Sequence, residues 1–225
     1  MTIEEVTARI GEIGIVPVVR AATVSEATRA VEAISAGGIP IVEITMTVPN
    51  AISLIHQVAG SFGAGLLVGA GTITTAEQAK LSIDAGAKFI VSPGLSVPVL
   101  AVAQACGVLA IPGALTPSEI MHAQDNGAKL IKIFPCDNVG GPKYLKALKG
   151  PFPNLALLPT GGVSVANAAE FIAAGAFALG VGGELVNRTA LKEGNSAKIT
   201  EAARELVRAI LSARESVLAS SGPAH

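Results

Sequence analysis

Two charged residues sit inside apolar runs, and both are of types that do carbonyl chemistry. Lys132 lies within Leu130-Ile131-Lys132-Ile133-Phe134, closed by Pro135. Glu43 lies within Ile41-Val42-Glu43-Ile44-Thr45. A lysine in such a run either snorkels to water at a strand end or lines a cavity. Burial disfavours the charged ammonium, and a neutral amine attacks ketones to give an imine. The protonated imine is an electron sink that allows the neighbouring C–C bond to break or form. A carboxylate beside it can move protons among carbinolamine, imine and enamine. The plain alternative is a structural ion pair, with Glu43 matched to Lys132 or to Arg20. No metal site is expected: His56, His122 and His225 are scattered, and Cys106 and Cys136 have no ligand spacing.

Both residues fall in strand candidates of one repeating pattern. Short β-branched runs occur at 15–20, 40–45, 66–71, 88–92, 108–112, 130–134, 155–159 and 177–182. Ala-rich segments of helical period separate them, at 24–36, 50–60, 75–86, 97–106, 117–127, 141–149 and 165–174. A further helix is predicted over 196–218, and another over 3–11 before the first strand. Strands buried on both faces and alternating with helices imply a parallel sheet. Eight such units favour a single (β/α)8 TIM barrel with an additional C-terminal helix, one domain over residues 1–219. An open sheet of the same strands is the alternative. The first βα turn, Arg20-Ala21-Ala22-Thr23, has no G-x-G-x-x-G, which argues against a dinucleotide fold. Residues 220–225 are expected to form a disordered tail.

Local signals punctuate the helices. Thr23, Thr75 and Thr116 each stand three residues before Glu26, Gln78 and Glu119, the spacing at which cap and side chain satisfy two free N–H groups reciprocally. Pro117 suits a first helical position. Gly37-Gly38, Gly86, Gly127 and Gly175 are expected to end helices in the left-handed conformation.

In such a barrel the C-terminal strand ends carry the chemistry. In order they are Arg20; Glu43 and Thr45; Gly69-Ala70-Gly71-Thr72; Ser92-Pro93-Gly94; Pro112-Gly113; Lys132 with Phe134-Pro135; Pro159-Thr160-Gly161-Gly162; and Gly180-Val181-Gly182-Gly183. Thr160-Gly161-Gly162-Val163-Ser164 leads toward a helix, where bare N–H groups attract anions, and Gly182-Gly183 is the second half of the usual barrel phosphate site. Read singly, Thr72 and Thr160 are equally strand-end caps and the Gly motifs tight turns, and Ser164 with water would satisfy the helix start.

Composition removes other classes. Half of the 225 residues are hydrophobic and 15% charged, which is ample for a large core. A net charge of −1, 3% aromatics and no Trp give no case for nucleic acid. Gly, Pro and charges break every apolar run before membrane-spanning length. Met1-Thr2-Ile3-Glu4-Glu5 carries acids early and no signal-type stretch, so a cytoplasmic protein is expected.

With these residues laid out, the chain resembles the 2-keto-3-deoxy-6-phosphogluconate (KDPG) / 4-hydroxy-2-oxoglutarate (KHG) aldolase family from about Ile15 to Val186. The resemblance rests on Val16-Pro17-Val18-Val19-Arg20, Val42-Glu43-Ile44-Thr45, Gly69-Ala70-Gly71-Thr72, Ser92-Pro93-Gly94, Ile111-Pro112-Gly113, Ile131-Lys132-Ile133-Phe134-Pro135 and Pro159-Thr160-Gly161-Gly162. It implies a class I pyruvate aldolase without cofactor or metal, commonly a homotrimer. Carried over, Lys132 forms the Schiff base with the C2 ketone and Glu43 is the general acid/base. Thr72, helped by Thr160, holds the pyruvyl carboxylate. Gly161 and Gly162 bind substrate oxygens or phosphate through backbone, Phe134 packs beside the imine, and Arg20 contacts an anionic group.

The chain departs from the family pattern twice. Where the family reads Glu-x-Thr-x-Arg, this chain has Glu43-Ile44-Thr45-Met46-Thr47, so the substrate-contacting arginine becomes Thr47. Thr47 is otherwise a cap for a helix beginning near Pro49. Where phosphate-using members have Ser after the eighth-strand Gly182, this chain has Gly183, then Glu184. Glu184 would point into the barrel wall or start a helix. The expected partners are small molecules: KDPG as leading substrate, and a non-phosphorylated keto acid such as 4-hydroxy-2-oxoglutarate as the alternative. A phosphosugar isomerase or epimerase, which gives Lys132 no covalent role, and a non-catalytic sugar-acid binding barrel are the other classes.

Overall fold

The computed structural model describes residues 1–220. The strands are β1 (Ile15–Val19), β2 (Ile41–Thr45), β3 (Leu67–Gly71), β4 (Phe89–Val91), β5 (Leu109–Ile111), β6 (Gly113–Ala114), β7 (Leu130–Ile133), β8 (Ala156–Pro159) and β9 (Leu179–Val181). β5 and β6 are two halves of one barrel strand, interrupted at Pro112. Proline has no N–H for the ladder, and the N–H of Gly113 turns to Gly94 O at 3.3 Å. A Cβ on Gly113 would overlap the Pro93 carbonyl, so the strand can bend here only because that residue is glycine.

All strand pairings are parallel, in the orders β5-β4-β3-β2-β1-β9 and β6-β7-β8. A bridge between Thr160 and Gly180 joins β8 to β9. Chain continuity through Pro112 joins β5 to β6. The eight strands therefore close into a barrel, and the open-sheet alternative is set aside.

The helices are α1 (Ile3–Ile13), α2 (Val24–Ala36), α3 (Ala51–Phe62), α4 (Ala76–Asp84), α5 (Val97–Ala105), α6 (Pro117–Asp125), α7 (Pro142–Lys149), α8 (Ala168–Ala173), α9 (Arg188–Lys192) and α10 (Ser196–Ser220). α1 touches both β1 and β5, which stand across the barrel from each other, so it lies over the mouth where the strands begin. α10 is the C-terminal helix, and it packs against α2 and α8 to complete the outer ring. Thr200 Oγ1 donates to Ala33 O at 3.0 Å across that contact. Residues 221–225 of the expected disordered tail lie outside the described residues, and Ser220 ends α10.

Three local expectations are corrected. Thr116 and Glu119 cap each other reciprocally, but Glu26 and Gln78 reach one residue further back, to Ala22 N and Thr74 N at 3.0 and 2.9 Å. Gly38 takes the left-handed conformation (φ 92°), whereas Gly37 stays right-handed (φ −81°). Gly37 is small for a different reason: a Cβ there would overlap Ala203 of α10 and sit 2.8 Å from Thr200 O. α8 starts at Ala168 rather than 165. Asn167 Oδ1 takes the Ser164 N–H at 2.9 Å while its amide donates to Gly162 O at 2.8 Å, so residues 162–167 fold as a turn instead of a first helical turn.

Candidate active site

Glu43 and Lys132 are 1% and 3% exposed, inside the same barrel. Glu43 is paired in the sheet with Val18 on one side and Gly69 on the other; Lys132 is paired with Gly113 and Leu158. The Lys132 N–H donates to Pro112 O at 2.9 Å, so the bend in the fifth barrel strand anchors the strand that carries the lysine. Glycines make the room. Phe89 fills the space beside Gly69, and a Cβ on Gly71 would overlap the Glu43 carboxylate.

Neither Glu43 oxygen has a hydrogen-bond partner among the described residues. The structural ion pair with Lys132 or Arg20 is therefore not formed as a hydrogen-bonded contact, because both cations stand off from the carboxylate. Burial pushes the Glu43 carboxyl up; the charges of Lys132 and then Arg20 pull it down, and burial prevails. A carboxyl poised in this way gives and takes protons more readily near neutrality than an ordinary glutamate. The Lys132 Nζ lies 5.0 Å from the centre of the Phe134 ring.

At the rim, Thr72 follows β3 with φ 60°, a left-handed backbone that a β-branched residue rarely adopts. Such strain collects at functional sites. The Thr45 hydroxyl donates to Val19 O at 3.0 Å and lies 2.6 Å from the Thr47 hydroxyl. With its one proton spent, Thr45 accepts from Thr47. Thr47 thus does not cap α3, whose N-cap is Asn50.

A cavity of about 340 Å³ brings together Arg20, Phe134, Thr160, Gly161, Gly162, Gly182 and Gly183, with Val18, Val163, Glu184, Val186 and Arg188. Glu43 and Lys132 do not line this space, but Val18, the sheet partner of Glu43, and Phe134, whose ring lies 5.0 Å from Lys132 Nζ, do, so it is adjacent to the buried pair. Thr47 lines a second cavity of about 400 Å³, shared with Arg20, Ala21, Ala22, Glu26, Arg188, Leu191 and Lys192. Thr72 lines neither. Thr160 is 6% exposed, and its hydroxyl donates to Leu158 O at 3.3 Å above the bare backbone of Gly180. Gly161 and Gly162 both have positive φ, 93° and 74°, which their lack of a side chain permits.

The anion cradle differs from the expected one. The helix after Gly162 starts too late, and Asn167 already takes the Ser164 N–H. What remains are the N–H groups of Gly162 and Val163, which have no partner among the described residues; the Gly161 N–H faces Gly180 in the bridge that joins β8 to β9. Glu184 neither enters the barrel wall nor starts a helix; it is exposed in a turn at the cavity edge.

Sequence reading missed Arg188 and Lys192 because α9 is five residues long and shows no apolar period. One signal was present. Asn187 before Arg188-Thr189-Ala190 is an N-cap pattern, and Asn187 Oδ1 does accept the Ala190 N–H at 3.0 Å.

A model of the family described as KDPG and KHG aldolase matches residues 6–202. The chain is 37% identical to the KHG/KDPG aldolase of Escherichia coli (strain K12) over 193 residues, covering 86% of this chain and 90% of that one. It is 36% identical to the 2-dehydro-3-deoxy-phosphogluconate aldolase of Dickeya dadantii (strain 3937), again over 86% of this chain and 90% of the relative. Among solved structures it is similar to KDPG aldolase from Legionella pneumophila with pyruvate captured at low pH as a covalent carbinolamine intermediate. That match has a TM-score of 0.83 and 32% identity, over 89% of this chain and 97% of the other.

Proposed function

The chain belongs to the KDPG and KHG aldolase family, and on that premise we propose that Lys132 and Glu43 carry out retro-aldol cleavage of a 2-keto-4-hydroxy acid to pyruvate and an aldehyde. The observation that carries the reading is a buried lysine and, in the same barrel, a buried carboxyl with no hydrogen-bond partner among the described residues, next to a cavity lined by Val18 and Phe134. The carbinolamine captured in the Legionella relative supports covalent pyruvate chemistry.

The Lys132 amine attacks the C2 ketone, and the carbinolamine loses water to give the iminium. Glu43 takes the C4 hydroxyl proton. The C3–C4 bond breaks, its electron pair moves into the iminium to give an enamine, and the aldehyde leaves. Glu43 returns the proton to C3, and water releases pyruvate from the lysine. Thr72, with Thr160, holds the pyruvyl carboxylate; Phe134 packs beside the imine. Backbone at Gly161 and Gly162 binds substrate oxygens.

The leading substrate is KDPG, which gives glyceraldehyde 3-phosphate. A non-phosphorylated keto acid such as 4-hydroxy-2-oxoglutarate is the second reading. It is favoured by Thr47 and Gly183, which lack the family's arginine and serine side chains, and by the carboxylate of Glu184 beside Gly183. One lost charge-assisted contact is worth about 1.5–3 kcal/mol, or about ten- to a hundredfold in affinity.

The reading extends to a cytoplasmic homotrimer. Among the described residues no helix is long and apolar enough to cross a membrane. Exposed Leu81, Val97 and Met121 on the outer helices supply apolar surface for an interface. Light scattering after gel filtration reads the assembly.

The chemistry is tested by mixing the protein with pyruvate and borohydride and mapping the product by peptide mass spectrometry. A reduced pyruvyl group on Lys132 is expected. No adduct on folded protein would remove the imine mechanism.

A further inference from the structure

We propose that Arg188, together with Arg20, sets substrate specificity by holding an anionic group at the far end of the aldehyde half. The inference rests on the aldolase reading and adds the residue that discriminates at the far end of the substrate, where the chain beyond C4 ends in a phosphomonoester or a carboxylate.

The two cavities meet at these arginines, since Arg20 and Arg188 line both. The inner cavity carries Phe134, whose ring lies 5.0 Å from Lys132 Nζ, together with Thr160 and both arginines, so a substrate held at the lysine and extending through that cavity meets the guanidinium pair. Neither arginine has an ion-pair partner among the described residues. The outer cavity adds Lys192 and opposes these three cations with one carboxylate, Glu26. Glu26 is already engaged, accepting the Ala22 N–H at 3.0 Å. The inner cavity instead carries Glu184 beside Gly183, and that charge disfavours an anion at the turn. The field therefore draws a terminal anion outward, onto Arg20 and Arg188.

Arg188 stands on a fixed base. The N–H groups of Leu185 and Val186 both donate to Gly182 O, at 3.0 and 2.8 Å. Asn187 caps α9, and the Arg29 guanidinium donates to Leu191 O at 3.3 Å, tying α9 to α2. Ala190 and Leu191 are buried. Thr47, which stands where the family pattern has arginine, has its hydroxyl paired with Thr45. A planar guanidinium fork from α9, lining the same cavity as Thr47, supplies the bidentate charge that Thr47 cannot.

The test measures kcat/KM for condensation of pyruvate with matched aldehydes in the parent chain, Arg188→Ala and Arg188→Lys. The pairs are glyceraldehyde 3-phosphate against glyceraldehyde, and 4-oxobutanoate against butanal. The anionic-to-neutral ratio should fall roughly ten- to a hundredfold in Arg188→Ala, mainly through KM. It should recover in part in Arg188→Lys. A fall in only one pair supports the proposal and identifies the anion as phosphate or carboxylate. Pyruvate–borohydride labelling separates the two levels. An adduct in both parent and Arg188→Ala with both ratios unchanged overturns the role of Arg188 alone. No adduct in the parent overturns the aldolase reading and this inference with it.

Discussion

Gly71 leaves the space that the Glu43 carboxylate occupies. The two residues are on neighbouring strands, and a Cβ on Gly71 would overlap Glu43 Oε1 and stand 2.6 Å from its Cγ. The obstructing atoms belong to a flexible side chain, so Gly71→Ala is expected to fold and to displace the carboxylate. Misplacing a reacting group by about an ångström costs roughly a hundredfold in rate. Steady-state kinetics should show kcat down by about that factor, with the circular dichroism spectrum unchanged.

Lys132→Ala should abolish turnover and the borohydride adduct together. Lys132→Arg should not rescue either, because a guanidinium keeps the charge but offers no nucleophilic amine near neutral pH. Near-normal turnover in Lys132→Ala would sink the mechanism.

Glu43 ties stability to pH. Burial, the largest influence, raises its carboxyl above the ordinary 4.5, against the pull of Lys132 and Arg20. The folded chain therefore binds this proton more tightly than the unfolded chain. The stability it contributes is fully present below about 4.5 and is lost as pH rises through the higher folded value. Glu43→Gln cannot ionise and escapes that loss. Its melting temperature minus the parent's should grow with pH and then level off, while kcat falls at least about a hundredfold. Thermal melts across acid to alkaline buffers read this; a difference independent of pH would count against a raised carboxyl.

The two cysteines should react at different rates. Cys106 is exposed. Cys136 is buried, and burial first, then Asp137, pushes its thiol up to about 11. Since the thiolate is the reactive form, a disulfide reagent at pH 8 should titrate one thiol quickly and the second only after denaturation. Two fast thiols in the native protein would contradict the burial of Cys136.

Much of the barrel was legible because its signals are local. β-branched runs bounded by Gly and Pro, and threonines three residues before Glu or Gln, depend only on neighbours a few positions away. Lys132 and Glu43 were legible for the same reason, each being a charge where the surrounding pattern demands an apolar side chain. The break at Pro112 was visible as a proline. That it bends the strand without opening the barrel was not, because the bend depends on Gly113 meeting the Pro93 carbonyl across a loop.

The sequence by itself determined the strand and helix alternation, the two charged residues set within apolar strands and the departures at Thr47 and Gly183. The tertiary structure decided which charges meet. Closing the ring buried Glu43 without hydrogen-bond partners, and Asn167 diverted the loop expected to begin a helix. Arg29 and Asn187 fixed a five-residue helix so that Arg188 lines the same cavity as Arg20, which lies 168 positions earlier in the chain. No periodicity encodes a contact of that span; it follows from the last strand of a closed barrel lying beside the first.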